Sequence, residues 1–190
     1  MNGNMELIDF NSDNFNGFEE GEEILLDTGI LLAYLNEYDA WFSTVKKLFE
    51  KHIFNNDKTM FLFVNPGIID ETTHVSKAPL KYYLKSHPKE LIAAGEASRV
   101  TGQVLNSLQT LIENDVLLVL DGDKNSVLKQ MKLSEKLGSA DAQNASLADA
   151  FGINFITVDG KLANNMKEVE DHLADIPKVY FTRAKHRDFR

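Results

Sequence analysis

The chain has 190 residues, which is enough for one domain with a substantial hydrophobic core. No apolar run approaches the ~20 residues of a membrane span, and the absence of cysteine excludes a disulfide scaffold, a thiolate zinc site and a cysteine nucleophile. The formal net charge of -9 argues against a general nucleic-acid coat protein, but not against an enzyme that reaches phosphates through bound metal ions. The first residues lack the pattern of a signal peptide, so we expect a cytoplasmic protein with no membrane partner.

Composition divides the chain into three parts. Residues 1 to about 20 are rich in Asn, Asp, Glu and Gly, which predicts an acidic, flexible N-terminal segment. Residues 21–182 carry the regular hydrophobic patterns of a single domain, and residues 183–190 form a basic C-terminal tail. No internal repeat and no linker divides the domain further.

Short apolar runs alternate with amphipathic segments through this domain. The runs predict strands over residues 23–26, 60–64, 116–120, 153–158 and 178–181. Helical spacing predicts helices over residues 30–35, 41–52, 66–75, 88–113, 127–137 and 140–151, with an irregular stretch over 76–88. This alternation is typical of a parallel α/β sheet covered by helices.

Two aspartates stand at the carboxyl ends of predicted strands, where an open parallel sheet collects functional groups, and a third stands at the start of a helix. Asp27 and Asp159 follow predicted strands, and either could instead serve as a helix cap or turn residue. Asp141 lies in the first turn of a helix rich in alanine, where an acid also interacts favourably with the helix dipole. A buried carboxylate at such an edge is costly unless a cation or a partner neutralises it.

Glu71 is a fourth acid of this kind. It lies three residues after Ile68 and four before Val75, so it shares their apolar helix face, whereas Asp70 is turned about 100° away and is expected at the surface. If the fold gathers the four acids, their oxygens suit Mg²⁺ or Mn²⁺ rather than zinc. Two such ions about 4 Å apart can activate a water molecule and stabilise the leaving oxygen in phosphodiester cleavage.

The segments around these acids resemble the PIN-domain nucleases. The matching segments are Ile24-Leu25-Leu26-Asp27-Thr28, Pro66-Gly67-Ile68-Ile69-Asp70-Glu71, Asp141-Ala142 with small residues behind it, and Thr157-Val158-Asp159. The resemblance covers about residues 22–182. It implies a three-layer α/β/α sandwich with a parallel, roughly five-stranded sheet in the order 3-2-1-4-5.

The resemblance further implies metal-dependent endoribonuclease activity on RNA, with Mg²⁺ or Mn²⁺ as cofactor. The implied catalytic and metal-binding residues are Asp27, Glu71, Asp141 and Asp159, with Thr28 and Thr157 as hydrogen-bonding groups around them. Many members of this family are toxins held inactive by a small antitoxin protein, so such a partner is also expected. Apolar surface over residues 77–113 is consistent with a homodimer. The alternative function is a PIN-like module with weak or no catalysis that binds a protein or RNA, which the net charge favours.

Competing motifs match the sequence less completely. Asp27-Thr28-Gly29 has the form of an aspartic protease triplet, but the chain has no second triplet and helical periodicity dominates. Asp121-Gly122-Asp123 resembles the start of a haloacid-dehalogenase motif and of an EF-hand loop, but it lacks the residues that must follow in each. A turn and a helix cap are therefore expected there. The histidines show no metal-ligand spacing, although His74 could line the site.

Overall fold

The computed structural model describes residues 5–55 and 57–189. Residues 1–4 of the predicted N-terminal segment and Arg190 of the predicted tail lie outside the described residues. The strands of the described chain are β1 (Glu6–Asp9), β2 (Glu22–Leu26), β3 (Met60–Val64), β4 (Leu118–Val119), β5 (Asn154–Ile156) and β6 (Lys178–Phe181). They form a six-stranded sheet in the order β1-β6-β5-β2-β3-β4, and every neighbouring pair is parallel.

Helices connect the strands and flank the sheet. They are α1 (Thr28–Leu35), α2 (Phe42–Phe49), α3 (Pro66–Val75), α4 (Ala78–Ser86), α5 (Glu96–Glu113), α6 (Lys124–Leu137), α7 (Ser139–Phe151) and α8 (Gly160–Glu168). A π-helical turn, Glu50–Phe54, extends α2, and 3-10 turns occupy Glu170–His172 and Ala184–His186. Among the residues described, no helix has both the length and the apolar character needed to cross a membrane.

The predicted fold class is confirmed. The five predicted strands correspond to β2, β3, β4, β5 and β6, and their order along the sheet reads 3-2-1-4-5 as predicted. The central strands β2 and β5 are the most deeply buried, with Leu25 and Phe155 fully enclosed. Helices on both faces explain why these strands consist of continuous apolar runs instead of alternating ones. The strands β3 and β4 are less completely covered, because Phe61 is 40% exposed and Val119 is 48% exposed.

The N-terminal segment departs from the prediction of flexibility. β1 adds a sixth strand beside β6, with Ile8 opposite Tyr180. Met5, Phe10 and Phe18 are buried in the main hydrophobic core. The structure therefore corrects the expectation of a flexible segment for residues 5–20, because apolar side chains spaced along an acidic stretch provide enough burial to order it.

The basic C-terminal tail also packs against the domain. The hydroxyl of Thr44 on α2 donates a hydrogen bond of 2.8 Å to the carbonyl of His186. The N–H of Asp188 donates one of 2.8 Å to the carbonyl of Ala40 in the connection between α1 and α2. The tail is thereby held against the α1–α2 connection.

Helix boundaries between residues 76 and 95 also differ from the prediction. The stretch expected to be irregular contains α4, because Pro79 occupies the first turn, where its missing N–H is not needed. The helix predicted from residue 88 begins only at Glu96, after Gly95 with its left-handed φ of +89°. The sequence pattern did not predict α8, which follows Asp159 directly.

Candidate active site

The four predicted acids lie around the carboxyl ends of β2 and β5. Asp27 follows β2 and precedes α1, and its N–H donates a hydrogen bond of 3.0 Å to the carbonyl of Ile156 at the end of β5. Glu71 lies on the second turn of α3, Asp141 on the first turn of α7, and Asp159 between β5 and α8. Because the strands run parallel, the helices that connect them begin at the edge formed by the carboxyl ends of the strands, and the four acids lie at or near these helix starts.

Asp27 is the most enclosed of the four acids, with 8% of its surface exposed. Burial raises the pKa of its carboxyl to about 7, and the charges of Asp141 and Glu71 contribute to the rise. The hydroxyl of Thr157 opposes that rise by donating a hydrogen bond of 2.8 Å to Asp27 Oδ2. Asp27 is therefore held between its protonated and ionised forms near neutral pH.

Asp141 is partly buried in the same cluster. Burial raises the pKa of its carboxyl to about 6, and the charges of Asp159 and Glu71 add to the effect. These electrostatic effects link Asp141 to both neighbours. Within the described chain its carboxylate accepts no hydrogen bond, so it remains available to a ligand at this edge.

Threonine hydroxyls fix the orientation of two of the carboxylates. Thr28, the first residue of α1, donates a hydrogen bond of 2.7 Å from Oγ1 to Glu71 Oε2 and so connects α1 to α3. Thr157, which is fully buried, donates to Asp27 and accepts a hydrogen bond of 2.9 Å from the N–H of Asp159. Both threonines singled out in the sequence therefore contact predicted site residues.

Asp159 also has the capping role that was its alternative interpretation. Its Oδ1 accepts hydrogen bonds of 2.8 Å from the N–H of Lys161 and 3.1 Å from the N–H of Leu162, which caps α8. The side chain is exposed. Its charge nevertheless contributes to the raised pKa of Asp141, so it belongs to the electrostatic cluster.

Two buried asparagines outside the predicted set of site residues join the helices that carry Glu71 and Asp141. Asn65 accepts a hydrogen bond of 3.0 Å from the N–H of Ile68, which caps α3, and its amide donates one of 2.8 Å to Asn144 Oδ1 on α7. The asparagine–proline pair at the start of α3 was a usable capping signal. For Asn144 the only signal was its position one helical turn after Asp141.

Gly29 allows α1 to approach the end of β5. A Cβ atom at this position would lie 2.9 Å from Val158 Cγ2 and 3.5 Å from Asp27 Oδ2. The first of these distances is shorter than a van der Waals contact. A side chain at position 29 would therefore push α1 away from the strand end that positions Asp27.

The donor set suits a hard divalent cation, although the side chains are not arranged around one. Carboxylate oxygens are the ligands that Mg²⁺ and Mn²⁺ prefer, and a cation would relieve the repulsion that raises the pKa values of Asp27 and Asp141. Among residues 5–55 and 57–189, no group of three or more acidic or histidine side chains has an arrangement that could hold a metal ion. His74, on α3, is exposed. Binding would therefore require rotation of the carboxylates toward the ion.

Two other acids of the described chain have structural roles. Asp149, on the same helix as Asp141, is 2% exposed, forms an ion pair with Lys129 and accepts a hydrogen bond of 3.0 Å from the N–H of Asp175. It joins α7 to α6 and to the segment before β6. Asp123 accepts a hydrogen bond of 2.8 Å from the N–H of Ser126 and caps α6, which confirms the predicted turn and cap.

Among solved structures, the chain is similar to a chain in the crystal structure of VapBC2 from Rickettsia felis bound to a DNA fragment from their promoter. The TM-score is 0.48 at 11% sequence identity, over 83% of this chain and 98% of that chain. No protein-family model and no curated protein matches the sequence. At this level of similarity, the function of the site rests on its own geometry.

Proposed function

We propose that the protein is a divalent-metal-dependent endoribonuclease that hydrolyses phosphodiester bonds in RNA. The observation that carries the proposal is the burial of Asp27 at a strand end, with Asp141 and Glu71 close enough to raise its pKa. Gathering ionised acids in this way destabilises the fold unless a cation offsets their repulsion. A site that retains such a cost is a functional-site candidate on physical grounds.

In this proposal Asp27, Glu71, Asp141 and Asp159 hold Mg²⁺ or Mn²⁺. When bound, the cation lowers the pKa of a water molecule and stabilises charge on the leaving oxygen of the phosphodiester. The protein contributes orientation. Thr157 holds Asp27 and favours its ionised form, and Thr28 holds Glu71 through its own hydroxyl.

A small antitoxin protein would act at the same edge of the sheet. A basic side chain inserted among the carboxylates would offset the same repulsion that a cation offsets, because both place positive charge beside Asp27 and Asp141. Such a partner would therefore compete with Mn²⁺. A homodimer is compatible with this arrangement.

The test is cleavage of single-stranded RNA by the purified protein with Mn²⁺, with EDTA as the metal-free control. We expect D141N and E71Q to abolish cleavage. D70N is the matched control, because Asp70 is the neighbour of Glu71 on α3 and is exposed; it should cleave like the wild type. Undiminished cleavage by D141N would contradict the site assignment.

The second candidate function is a PIN-like module without catalysis that binds a protein or RNA. Two observations favour it, the net charge of -9 and the absence, among the described residues, of acidic side chains arranged around a metal position. Calorimetric titration with Mn²⁺ separates the candidates. If the protein neither binds Mn²⁺ nor melts at a higher temperature in its presence, the binding module is the better description.

A further inference from the structure

A groove of about 880 Å³ lies beside Asp159, next to the carboxylate cluster. It runs between the N-terminus of α8, the end of β6, the α1–α2 connection and the C-terminal tail. Its cationic and aromatic lining residues are Lys161, Arg183, Arg187, Trp41 and Phe181. We call this feature the tail groove.

The charge of the tail groove is opposite to that of the whole protein. The chain carries a net charge of -9, yet the lining of the groove contains three cationic side chains and a single acid, Asp159. Within the described chain, Lys161 forms no salt bridge. Arg183 contacts Asp9 through Nε at 3.0 Å while two thirds of its side chain remains exposed. Arg187 is exposed, although it lies close enough to Asp39 for its charge to oppose the rise in pKa that burial gives that carboxyl. All three cations therefore keep surface that an anionic ligand can reach.

The walls of the tail groove are held in place before any ligand binds. The N–H of Trp41 donates a hydrogen bond of 2.8 Å to Asp39 Oδ1, which fixes the α1–α2 connection. The hydrogen bonds from Thr44 to His186 and from Asp188 to Ala40 attach the tail to this connection. Preorganisation of this kind reduces the entropy lost on binding.

Aromatic rings beside cations favour single-stranded nucleic acid over other polyanions. Trp41 and Phe181 pack against the core but stay partly exposed, so the exposed parts of their rings could stack on bases. Such stacking requires unpaired bases, which a duplex does not present. Lys161 and Arg187 would meet the backbone phosphates. A strand in the groove would pass Asp159 and enter the carboxylate cluster.

We propose that the tail groove holds single-stranded RNA on one side of the bond to be cut, with Lys161 and Arg187 on phosphates and Trp41 stacked on a base. The proposal rests on the proposed ribonuclease function for the identity of the strand. The basic C-terminal tail, residues 183–190, would then contribute to RNA binding.

The experiment measures binding of a short, labelled single-stranded RNA in EDTA, by fluorescence anisotropy and by the emission of Trp41, the only tryptophan in the chain. Wild-type emission should be quenched on binding. The K161Q/R187Q variant should bind about tenfold or more weakly. Its slope of log K against log salt should fall by roughly 1.4, about 0.7 for each lost phosphate contact.

The matched control is K89Q/K132Q, which removes two exposed lysines outside the tail groove. It should bind like the wild type, and thermal melts should show that both double variants are folded. An equal loss of affinity in the two double variants would overturn the proposal, since binding would then depend on overall charge. Equal affinity and equal quenching with duplex RNA or with polyglutamate would overturn it as well.

Measurement in EDTA separates this proposal from the proposed function. If K161Q/R187Q loses RNA binding while the wild type fails to cleave RNA with Mn²⁺, the tail groove stands and the ribonuclease function fails. If the wild type cleaves RNA and K161Q/R187Q cleaves it with unchanged KM, the function stands and the tail groove is overturned.

Discussion

The hydroxyl of Thr157 donates a hydrogen bond of 2.8 Å to Oδ2 of Asp27, and this bond joins the ends of the two central strands. It favours the ionised carboxylate, whereas burial favours the protonated one. The balance between the two effects determines whether Asp27 carries its charge at neutral pH.

Replacing Thr157 with valine keeps the shape of the side chain and removes the donor. We expect the pKa of Asp27 to rise further in T157V, so that affinity for Mn²⁺ at pH 7 falls by roughly 10-fold to 100-fold. Calorimetric titration between pH 6 and pH 8 measures the effect. T157S retains the hydroxyl and is the control; indistinguishable Mn²⁺ affinities for the two variants would refute the role of the bond.

The metal-free protein should lose stability as the pH rises. The folded-state pKa is raised from 3.8 to about 7 for Asp27 and to about 6 for Asp141, so between about pH 4 and pH 7 the folded state binds more protons than the unfolded state. The free energy of unfolding in EDTA therefore falls through this window, by at most about 4 kcal/mol for Asp27 alone. Thermal melts at a series of pH values in EDTA, repeated with Mn²⁺, measure it.

The D27N variant isolates the contribution of Asp27 to this pH dependence. It cannot ionise at position 27, so in EDTA it should be more stable than the wild type at pH 7.5 and nearly equal to it at pH 4. Mn²⁺ should stabilise the wild type but not D27N. A parallel loss of stability with pH in both proteins would show that Asp27 is not the titrating group.

Gly29→Ala should disturb the site through the backbone. The new Cβ would lie 2.9 Å from Val158 Cγ2, so α1 must shift, and we expect a loss of about 1–3 kcal/mol in unfolding free energy together with weaker Mn²⁺ binding. Urea unfolding and calorimetry measure the two effects. Adding V158A makes room for the methyl group and should restore both; failure of this rescue would locate the cause elsewhere.

Asp149→Asn should affect stability alone. It removes the ion pair with Lys129 and weakens the acceptor for the N–H of Asp175, which should cost about 1–2 kcal/mol in unfolding free energy. Affinity for Mn²⁺, measured well below the melting temperature, should not change. A variant of full stability with weaker Mn²⁺ binding would instead place Asp149 in the active site.

The sequence was sufficient to predict the central sheet and the elements that carry the acids. Runs such as Met60–Val64 have no alternation, so burial on both faces between two helix layers was the natural interpretation. It is right for the face that carries Leu62 and Val64 and wrong for the opposite face, where Phe61 is 40% exposed. Glu71 was recognisable because it shares a helix face with Ile68 while Asp70 does not. Asp70 is exposed, as predicted.

The pairing of β1, the formation of α8 and the tail groove depended on tertiary contacts, which local sequence patterns do not contain. Phe10 and Phe18 are separated by polar residues, and their burial depends on the packing of β1 against a strand far away in the chain. Helix α8 is short and contains Gly160 and two asparagines, which have low helix propensity, so it depends on the Asp159 cap and on the burial of Leu162. The tail groove was not predictable, because Trp41 and Arg187 meet only in the folded chain.

The pairing of β1 with β6 also determines when the sheet can be completed during synthesis. β1 is made before the other strands of the described sheet, but its partner β6 is made after all of them, so β1 has no strand to pair with until then. Until that moment Phe10 and Phe18 have no finished core to enter. Closing so long a loop is slow relative to local structure formation, and the exposed strand and rings are the kind of surface that chaperones bind. The strand of this sheet that is made first is therefore the last to be incorporated into it.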